Sequence, residues 1–338
     1  MRMYQLMFLL AGCTSTPAEV GIDPDEVATD DPTKADSASG LPDVQCAGAP
    51  DAGGPQGFRH FTSKITAAIA DPRHRGIDLV ATATATQELR GDASYGTLDK
   101  AIEDEYVDLY ACRAGEWRHL GRTRTDDDGR FALRLTDTKR PPIGLRYLYV
   151  SGAGDRTGAR FLGLVAPEGT ALAVSDVDGT LSKSELAFGS TIIFGADIPM
   201  HDGAPAVFHE IAARGYQPLY LSARPRAWTE VSRQWFAAKG MPRGPVRFAP
   251  GFVLPGSATV EYKRKTLEAL AGFDLAVGIG NRASDVEAYQ SVQVPAEHTF
   301  VKLPEYADEL QPLIDAGAAA GFAEYAELDV LVDELPQR

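Results

Sequence analysis

Hydrophobic and polar positions change their rhythm twice along the chain, and these changes predict three regions. From residue 14 to about residue 57 there is no apolar period, and Asp, Pro, Ala, Ser and Gly dominate the composition. A segment of this kind cannot bury enough apolar surface to offset the entropy that is lost on ordering. We therefore expect a disordered acidic tether over residues 14–57.

The second region, residues 58–169, is rich in strand-like runs. After a short predicted helix at residues 62–70 come IDLVATATAT, EYVDLYAC, EWRHLGRTRT, GRFALRL, LRYLYVSG and ARFLGLVAP. Alternating or β-branched runs separated by turns such as DDDG are typical of antiparallel sandwiches. We see no catalytic constellation in these runs, and we predict an all-β sandwich domain.

In the third region, residues 170–338, short apolar strands alternate with helical patterns. The predicted strands are ALAVSD, QPLYLSA, VRFAP, LAVGIGN and HTFVKL. Two of the predicted helices cover residues 204–214 and 226–239, and Gly215 and Gly240 end them. Strand-helix alternation predicts an α/β domain with a mostly parallel sheet covered by helices.

Acids, amides and cations of this third region stand at or near the ends of its strands. In DVDGT, Asp176 and Asp178 are residues i and i+2, so both carboxyl groups point to the same side, and two like charges that close need a cation. The other members are Ser222 and Arg224 after the second strand, Lys263 on the helix EYKRKTLEAL, and Asn281 and Asp285 after the fourth strand. Singly, each has an ordinary explanation as a turn, a cap or a solvated charge. Together, their order along successive strand ends favours a joint site for a magnesium ion and a phosphoryl group.

Length and charge limit the partners. The chain has 338 residues, 44% of them hydrophobic, and a formal net charge of -14. A negative surface argues against binding to nucleic acid and against spontaneous adsorption to anionic lipid. No apolar stretch approaches the roughly 20 residues of a membrane span. We expect a monomer of two folded domains.

The first residues, MRMYQLMFLLAGC, resemble a bacterial lipoprotein signal. Arg2 precedes a short apolar core, and the small residues of LLAGC precede Cys13, which would become the lipidated first residue after residues 1–12 are removed. The alternative is that Cys13 occurs by chance and that the N-terminal residues are not a signal. The resemblance implies a lipid-anchored protein on the membrane surface of the bacterial cell envelope, facing the periplasm or the exterior. Cys46 and Cys112 then remain, either as a disulfide or as two free thiols.

The ordered motifs DVDGT, LSAR, EYK and GNRASD resemble those of the haloacid-dehalogenase-type phosphatases. The longer strings DVDGTLSKSE, GYQPLYLSARP, GMPRGPV and GNRASDVEAYQSVQVP, within residues 172–303, are similar to the module shared by lipins, which are phosphatidate phosphatases, and membrane-associated phosphatidylinositol-transfer proteins. The resemblance implies a Rossmann-like parallel sheet without a large cap domain. It also implies that the preceding sandwich is immunoglobulin-like.

The same resemblance implies a role for each motif residue. Asp176 would attack phosphorus to give an aspartyl-phosphate, and Asp178 would protonate the leaving alkoxide and then activate water. Ser222 and Lys263 would hold the phosphoryl oxygens and balance their charge. The implied magnesium ligands are Asp176, the Asp178 carbonyl, Asn281 and Asp285, and the implied substrate-binding residues are Gly179, Thr180, Ala223 and Arg224. Many phosphatases of this type have an acid at the position of Asn281, whereas lipins share the asparagine.

Phosphatidate is the substrate that the resemblance favours, with diacylglycerol and phosphate as products. A phosphatase of soluble phosphomonoesters and a phosphatidate-binding module without turnover stay open as alternatives, although the presence of both Asp176 and Asp178 favours catalysis. Residues 184–203 would form a flap whose Ile192, Ile193 and Phe194 touch lipid, or else an ordinary buried strand. Five basic residues would make the mouth of the site locally positive: Arg224, Arg226, Lys263, Arg264 and Lys265.

Overall fold

In a computed structural model of the chain, residues 38–183 and 198–338 are described, and they all fall within one compact unit. The predicted signal with Cys13, the first part of the predicted tether and the apolar residues Ile192, Ile193 and Phe194 lie outside the described residues. In the part that is described, no helix is both long and apolar enough to cross a membrane.

Residues 43–166 form the β-sandwich that the strand-like runs of residues 58–169 predict. Its elements are β1 (Asp43–Val44), α1 (Phe61–Ile69), β2 (Arg75–Ile77), β3 (Leu79–Thr82), β4 (Glu88–Asp92), β5 (Ser94–Tyr95), β6 (Lys100–Ala101), β7 (Tyr106–Arg113), β8 (Glu116–Arg124), β9 (Arg130–Arg134), β10 (Gly144–Gly152) and β11 (Gly158–Ala166). One sheet has the order β3-β11-β10-β7-β8 with β1 beside β10, and the other has the order β2-β4-β9. Leu89 and Phe131 of the small sheet pack on Leu109 and Val150 of the large one. Pairing is antiparallel except for β1 with β10 and β3 with β11, which are parallel.

Residues 38–57 are not a free tether in this structure. β1 pairs with β10, and Cys46 forms a disulfide with Cys112 of β7, with their Cα atoms 5.7 Å apart. Cys46 is buried. The sequence left disulfide and free thiols open, and the structure has the disulfide. The apolar content of the segment is too low for it to fold by itself, but a covalent link and a short strand fix it to a domain that already has a core.

The remainder of the chain forms the parallel sheet that the strand-helix alternation predicts. Its strands are β12 (Ala171–Ser175), β13 (Gln217–Pro225), β14 (Val246–Ala249), β15 (Asp274–Gly280), β16 (Thr299–Lys302) and β17 (Ala320–Phe322). They are all parallel, in the order β14-β13-β12-β15-β16-β17. The carboxyl ends of β13, β12 and β15 therefore meet at one edge, where open α/β sheets bind ligands. The absence of a large cap stays a prediction, because residues 184–197 are not described.

Helices cover this sheet and begin and end near the predicted residues. They are α2 (Ala204–Ala213), α3 (Thr229–Ala238), α4 (Ser257–Glu268), α5 (Ala283–Ser291), α6 (Ala307–Asp315) and α7 (Tyr325–Asp333). Gly215 and Gly240 follow α2 and α3 with φ of 96° and 74°, which favours glycine after a helix end. A 3-10 turn over Arg226–Trp228 precedes α3 where the sequence predicted continuous helix. Pro225, with φ of −60° and ψ of 140°, precedes this turn in an extended conformation.

The two domains share a hydrophobic core rather than meeting at a linker. Leu162 and Leu164 of the sandwich pack in one cluster with Leu172, Leu219 and Leu267 of the α/β domain. A second link is the buried carboxylate of Asp78, beside β3. It accepts 2.7 Å hydrogen bonds from the backbone N–H groups of Leu162 and Val246 and a 2.5 Å bond from Arg233 of α3.

Candidate functional site

Asp176 lies directly after β12, and its carboxylate is buried at the carboxyl edge of the sheet. Its backbone N–H donates to the Ile279 carbonyl oxygen at 2.8 Å, which fixes the residue beside β15. One carboxylate oxygen, Oδ1, accepts a 2.6 Å hydrogen bond from Lys263 Nζ. The other, Oδ2, lies 3.3 Å from Thr180 Oγ1. The strand end and the loop after it thus hold the acid in a defined orientation.

Lys263 reaches this carboxylate from the buried face of α4 and also donates to Asp285 Oδ1. Asp285 stands in the first turn of α5, where Oδ2 accepts the backbone N–H groups of Asn281 at 3.0 Å and Arg282 at 3.1 Å. A Cβ atom at Gly280 would lie 2.4 Å from the Asp285 Cβ, so only glycine lets the acid pack this closely on the strand end. Asn281 Oδ1 lies 3.3 Å from Thr180 Oγ1. We call Asp176, Thr180, Lys263, Asn281 and Asp285 the Asp176 cluster.

The charges of the Asp176 cluster do not cancel. Two buried carboxylates share one buried ammonium group, so that the cluster carries an excess of one negative charge when both acids are ionised. Burial raises the pKa of Asp176 above its ordinary value, and the negative charge of Asp285 adds to the rise, although Lys263 opposes it. Burial alone would lower the pKa of Lys263, but its two carboxylate partners raise it, so the side chain stays an ammonium ion.

The oxygen atoms of the Asp176 cluster fit a small hard cation. Contacts with Thr180 and Lys263 hold two carboxylates and the Asn281 amide oxygen close together. Magnesium prefers oxygen ligands that carry an excess of negative charge. Over residues 38–183 and 198–338, no group of three or more His, Cys, Asp and Glu side chains is arranged to hold a metal ion. A cation here would therefore depend on an amide and a backbone carbonyl besides the two acids.

Asp178 points to the neighbouring strand end instead. Its Oδ2 accepts hydrogen bonds from Ser222 Oγ at 2.7 Å and Arg224 Nε at 3.0 Å, and its Oδ1 accepts one from Arg224 Nη2 at 2.5 Å. Arg224 is itself fixed, because Nη1 donates to Ser232 of α3 at 2.9 Å and the guanidinium carbon lies 5.3 Å from the centre of the Phe248 ring. We call Asp178, Ser222 and Arg224 the Asp178 clamp. The sequence predicted that Arg224 binds substrate, and here it binds Asp178.

The loop after Asp176 makes a sharp turn at Gly179. Gly179 has φ of 72°, and its N–H donates to Ser182 Oγ at 3.2 Å. The hydroxyl of Tyr325, at the start of α7, donates to the Thr180 carbonyl at 2.8 Å. Sequence reasoning missed Tyr325, which lies far along the chain and has no motif around it. Ala223 lies half-buried between Ser222 and Arg224.

The structure does not form the predicted basic mouth. Besides Lys263 and Arg224, which bind acids of the site, Arg264 pairs with Glu261 and Glu268, and Lys265 pairs with Glu261 at 2.9 Å. Arg226 lies 3.5 Å from Asp92 of the sandwich. The helix spacing of these acids and bases, three or four residues apart on α4, favours local pairing over an open positive surface.

Comparison with known protein families gives two matches that follow the domain division. Residues 173–302 match the model described as the LNS2 domain of PITM 1-3, and residues 72–165 match the model described as the beta-sandwich domain of PITM 1-3. The first match contains every motif residue of the Asp176 cluster and the Asp178 clamp. The second covers most of the sandwich.

Curated relatives agree with these matches. The chain is 28% identical to membrane-associated phosphatidylinositol transfer protein 2 of Mus musculus, over 68% of this chain and 17% of that protein. It is 25% identical to protein retinal degeneration B of Drosophila melanogaster, over 68% of this chain and 18% of that protein. It is 28% identical to phosphatidate phosphatase LPIN3 of Mus musculus over 39% of this chain and 18% of that protein. The chain thus spans less than a quarter of the length of the relatives it matches.

Among solved structures, a chain of the Pnkp1/Rnl/Hen1 RNA repair complex matches 39% of this chain and 42% of its own length, at 18% identity and a TM-score of 0.33. That similarity is too low to bear on fold or function.

Proposed function

We propose that the protein is a magnesium-dependent phosphomonoesterase that hydrolyses phosphatidate to diacylglycerol and phosphate through an aspartyl-phosphate. The observation that carries the proposal is the Asp176 cluster: a buried carboxylate at a strand end, held by an ammonium group and surrounded by oxygen donors. The lipid substrate rests on the similarity to a phosphatidate phosphatase and to phosphatidylinositol transfer proteins.

Asp176 is the nucleophile in this proposal. Lys263 holds Oδ1, which leaves Oδ2 as the oxygen that attacks phosphorus in line with the ester bond. A bond forms between Oδ2 and phosphorus as the bond from phosphorus to the ester oxygen breaks. The alkoxide takes a proton from Asp178, and the aspartyl-phosphate is then hydrolysed by a water molecule from which Asp178 removes a proton. Lys263 compensates the charge of the phosphoryl oxygens throughout.

Asp178 needs a change of partners before it can carry a proton. Arg224 bonds to both of its oxygens, and Ser222 to one of them. A phosphoryl group that enters the site offers Arg224 and Ser222 another anion, with oxygens suited to the two-pronged bonding of a guanidinium group. When Arg224 turns to the substrate, the released Asp178 carboxylate can take up a proton from solvent and then donate it to the leaving alkoxide. Substrate binding and proton transfer are coupled in this way.

A magnesium ion would be held by the carboxylates of Asp176 and Asp285, the Asn281 amide oxygen and the Asp178 carbonyl oxygen. When bound, it would neutralise the excess charge of the cluster and draw electrons from the phosphoryl oxygens.

A second candidate function is phosphatidate binding without turnover. The clamp favours it, since both oxygens of Asp178 already accept hydrogen bonds from Arg224 and face no leaving group. The similarity to transfer proteins agrees with this candidate. The same contacts would then serve only to recognise the phosphate monoester.

Phosphate release separates the candidates. Wild-type protein is assayed with magnesium on phosphatidate in mixed micelles and on a soluble aryl phosphate, with Asp176→Asn beside it as the variant without nucleophile. We expect turnover of phosphatidate that Asp176→Asn lacks. Turnover of the aryl phosphate alone would assign the protein to soluble phosphomonoesters. Binding of phosphatidate with no release from either substrate would establish the binding module.

We also propose that Cys13 carries a lipid that holds the protein on the membrane of a bacterial cell envelope, since an anchor gives a negatively charged protein a high effective concentration at a lipid surface. The support is the LLAGC motif. Growing cells are labelled with a clickable fatty acid. Equal label in wild type and Cys13→Ser would refute the anchor.

A further inference from the structure

A cleft lies between the sandwich and the α/β domain. It has a volume of about 380 Å³. Residues 76–78 and Val80 line it on the sandwich side, and β14 lines it on the other. One face of α4 completes it, formed by Tyr262, Lys265, Thr266 and Ala269, which are spaced three, four and seven residues apart.

The charges that line this interdomain cleft are unequal. Four cations line it, Arg226, Arg233, Arg247 and Lys265, against a single carboxylate, Asp78. Asp78 divides its oxygens between two backbone N–H groups and Arg233. Two of the cations have acids of their own beside the cleft: Asp92 lies 3.5 Å from Arg226, and Glu261 lies 2.9 Å from Lys265. Four cations therefore face three carboxylates, and the one positive charge that remains attracts an anion.

Two guanidinium groups of the interdomain cleft also have nitrogen atoms without acceptors. Arg226 Nε and Arg233 Nη1 are buried, and their N–H groups donate to no acceptor among residues 38–183 and 198–338. Arg247 is half-buried, and burial lowers its pKa, with Asp78 opposing the effect and Arg233 adding to it. Buried N–H groups without acceptors are costly, and an oxyanion close to them relieves that cost.

The loop that begins at the cleft residue Pro250 is apolar and exposed. Pro250 lines the cleft, and the same loop continues to Phe252 and Leu254, whose exposed fractions are 85% and 77%. The Phe252 ring lies edge-on to Trp228, with 6.2 Å between ring centres. Large apolar side chains this exposed on one loop mark a surface that contacts something apolar.

We infer that the interdomain cleft is a second anion site, distinct from the Asp176 cluster, that binds the phosphate group of a ligand whose apolar part rests on Phe252 and Leu254. Guanidinium groups with free N–H donors match phosphate oxygens, and the apolar loop matches an acyl or similar group. The ligand is either a soluble phosphate ester or the headgroup of an anionic lipid. The helix α4 contributes to both places, since Lys263 donates to Asp176 and Lys265 lines the cleft.

The test uses full-length protein and two cleft variants. Arg226→Gln with Lys265→Gln removes two charges from the interdomain cleft, and Lys265→Gln alone is a milder change at a side chain that is 68% exposed, so it leaves the fold intact. Arg134→Gln, an exposed charge of β9 that does not line the cleft, is the matched control. Binding of inorganic phosphate is measured by titration calorimetry. We expect the double variant to lose one binding site, or to weaken it by about tenfold or more, and the single variant to weaken it less.

The source of the phosphate is decided with vesicles of phosphatidylcholine, with and without phosphatidate, in a co-sedimentation assay. Phe252→Ser with Leu254→Ser removes the apolar side chains of the loop and keeps the charges. A lipid headgroup predicts that both the loop variant and the charge variant bind phosphatidate vesicles several-fold less than Arg134→Gln does, whereas the loop variant still binds inorganic phosphate. A soluble ester predicts that only phosphate binding changes. The inference is overturned if the charge variant equals the Arg134→Gln control in both assays.

Discussion

The two halves of the candidate site balance their charges in different ways. In the Asp176 cluster, two buried carboxylates share one ammonium group, and an excess negative charge remains. In the Asp178 clamp, one guanidinium group bonds to both oxygens of one carboxylate, and the charges cancel. The comparison teaches that only the first half has an electrostatic reason to bind a cation. The second half has a reason to open only when another anion arrives.

Loss of the nucleophile is the strongest way to test the first half. Asp176→Asn should lower phosphate release by on the order of a thousandfold or more, because an amide cannot form the aspartyl-phosphate. Initial rates on phosphatidate and on an aryl phosphate measure the loss. Asp329→Asn, the same change on an exposed position of α7, should keep full activity. Equal rates for wild type and Asp176→Asn would show that DVDGT is not the catalytic loop.

Removal of the cation should have the next largest effect. After exhaustive chelation we expect a loss of at least about a hundredfold, restored by added magnesium, because Asp176, Asp285 and a phosphoryl group cannot lie together without a counter-charge. The assay is phosphate release before and after the addition. Full activity of the chelated enzyme would show that catalysis does not need a cation at the Asp176 cluster.

The second half should respond according to the leaving group. Asp178→Asn should lower turnover of phosphatidate by roughly a hundredfold, because its alkoxide needs a proton, and turnover of an aryl phosphate by less than about tenfold. Rates on the two substrates give the ratio. The same loss on both would mean that Asp178 positions Arg224 and transfers no proton.

The smallest expected effect is on stability and depends on pH. Because the pKa of Asp176 is raised in the folded protein, the folded state holds this proton more tightly than the unfolded chain does. That contribution is complete below the unfolded value of about 4 and is lost as the pH rises through the raised value. In chelator, Asp176→Asn should therefore melt at a higher temperature than wild type at pH 8, with the difference shrinking toward pH 4.

Calorimetric melting curves measure this difference, and added magnesium should narrow it by stabilising the charged form of the wild type. A difference that is independent of pH would mean that Asp176 has an ordinary pKa.

The sequence predicted the strand ends of the site because the rule behind them is local. A buried apolar run followed by an acid fixes Asp176 on β12, and the parallel order of β13, β12 and β15 then brings Ser222 and Asn281 to the same edge. Helix ends were predictable for the same reason, since Gly215 and Gly240 act where they stand.

Contacts between distant residues were not predictable in this way. The motif LSAR places Arg224 at the edge of the sheet. It does not show whether the guanidinium group contacts the substrate or Asp178, because both are anions within its reach. Tyr325 and Thr180 come together only through the packing of α7. By contrast, the pairing of Arg264 with Glu261 and Glu268 follows from helical spacing, a signal that the prediction of a basic mouth overlooked.

The shared core described above has a consequence for how such a chain can arise. A break near residue 169 would uncover Leu172 and Leu219 on one fragment and Leu162 on the other, and would leave Asp78 a buried acid without Arg233. A recombination event that moved the α/β half alone would thus yield a fragment that exposes apolar surface and aggregates. Both halves of this chain match domains of one family of proteins, as expected if they are inherited together.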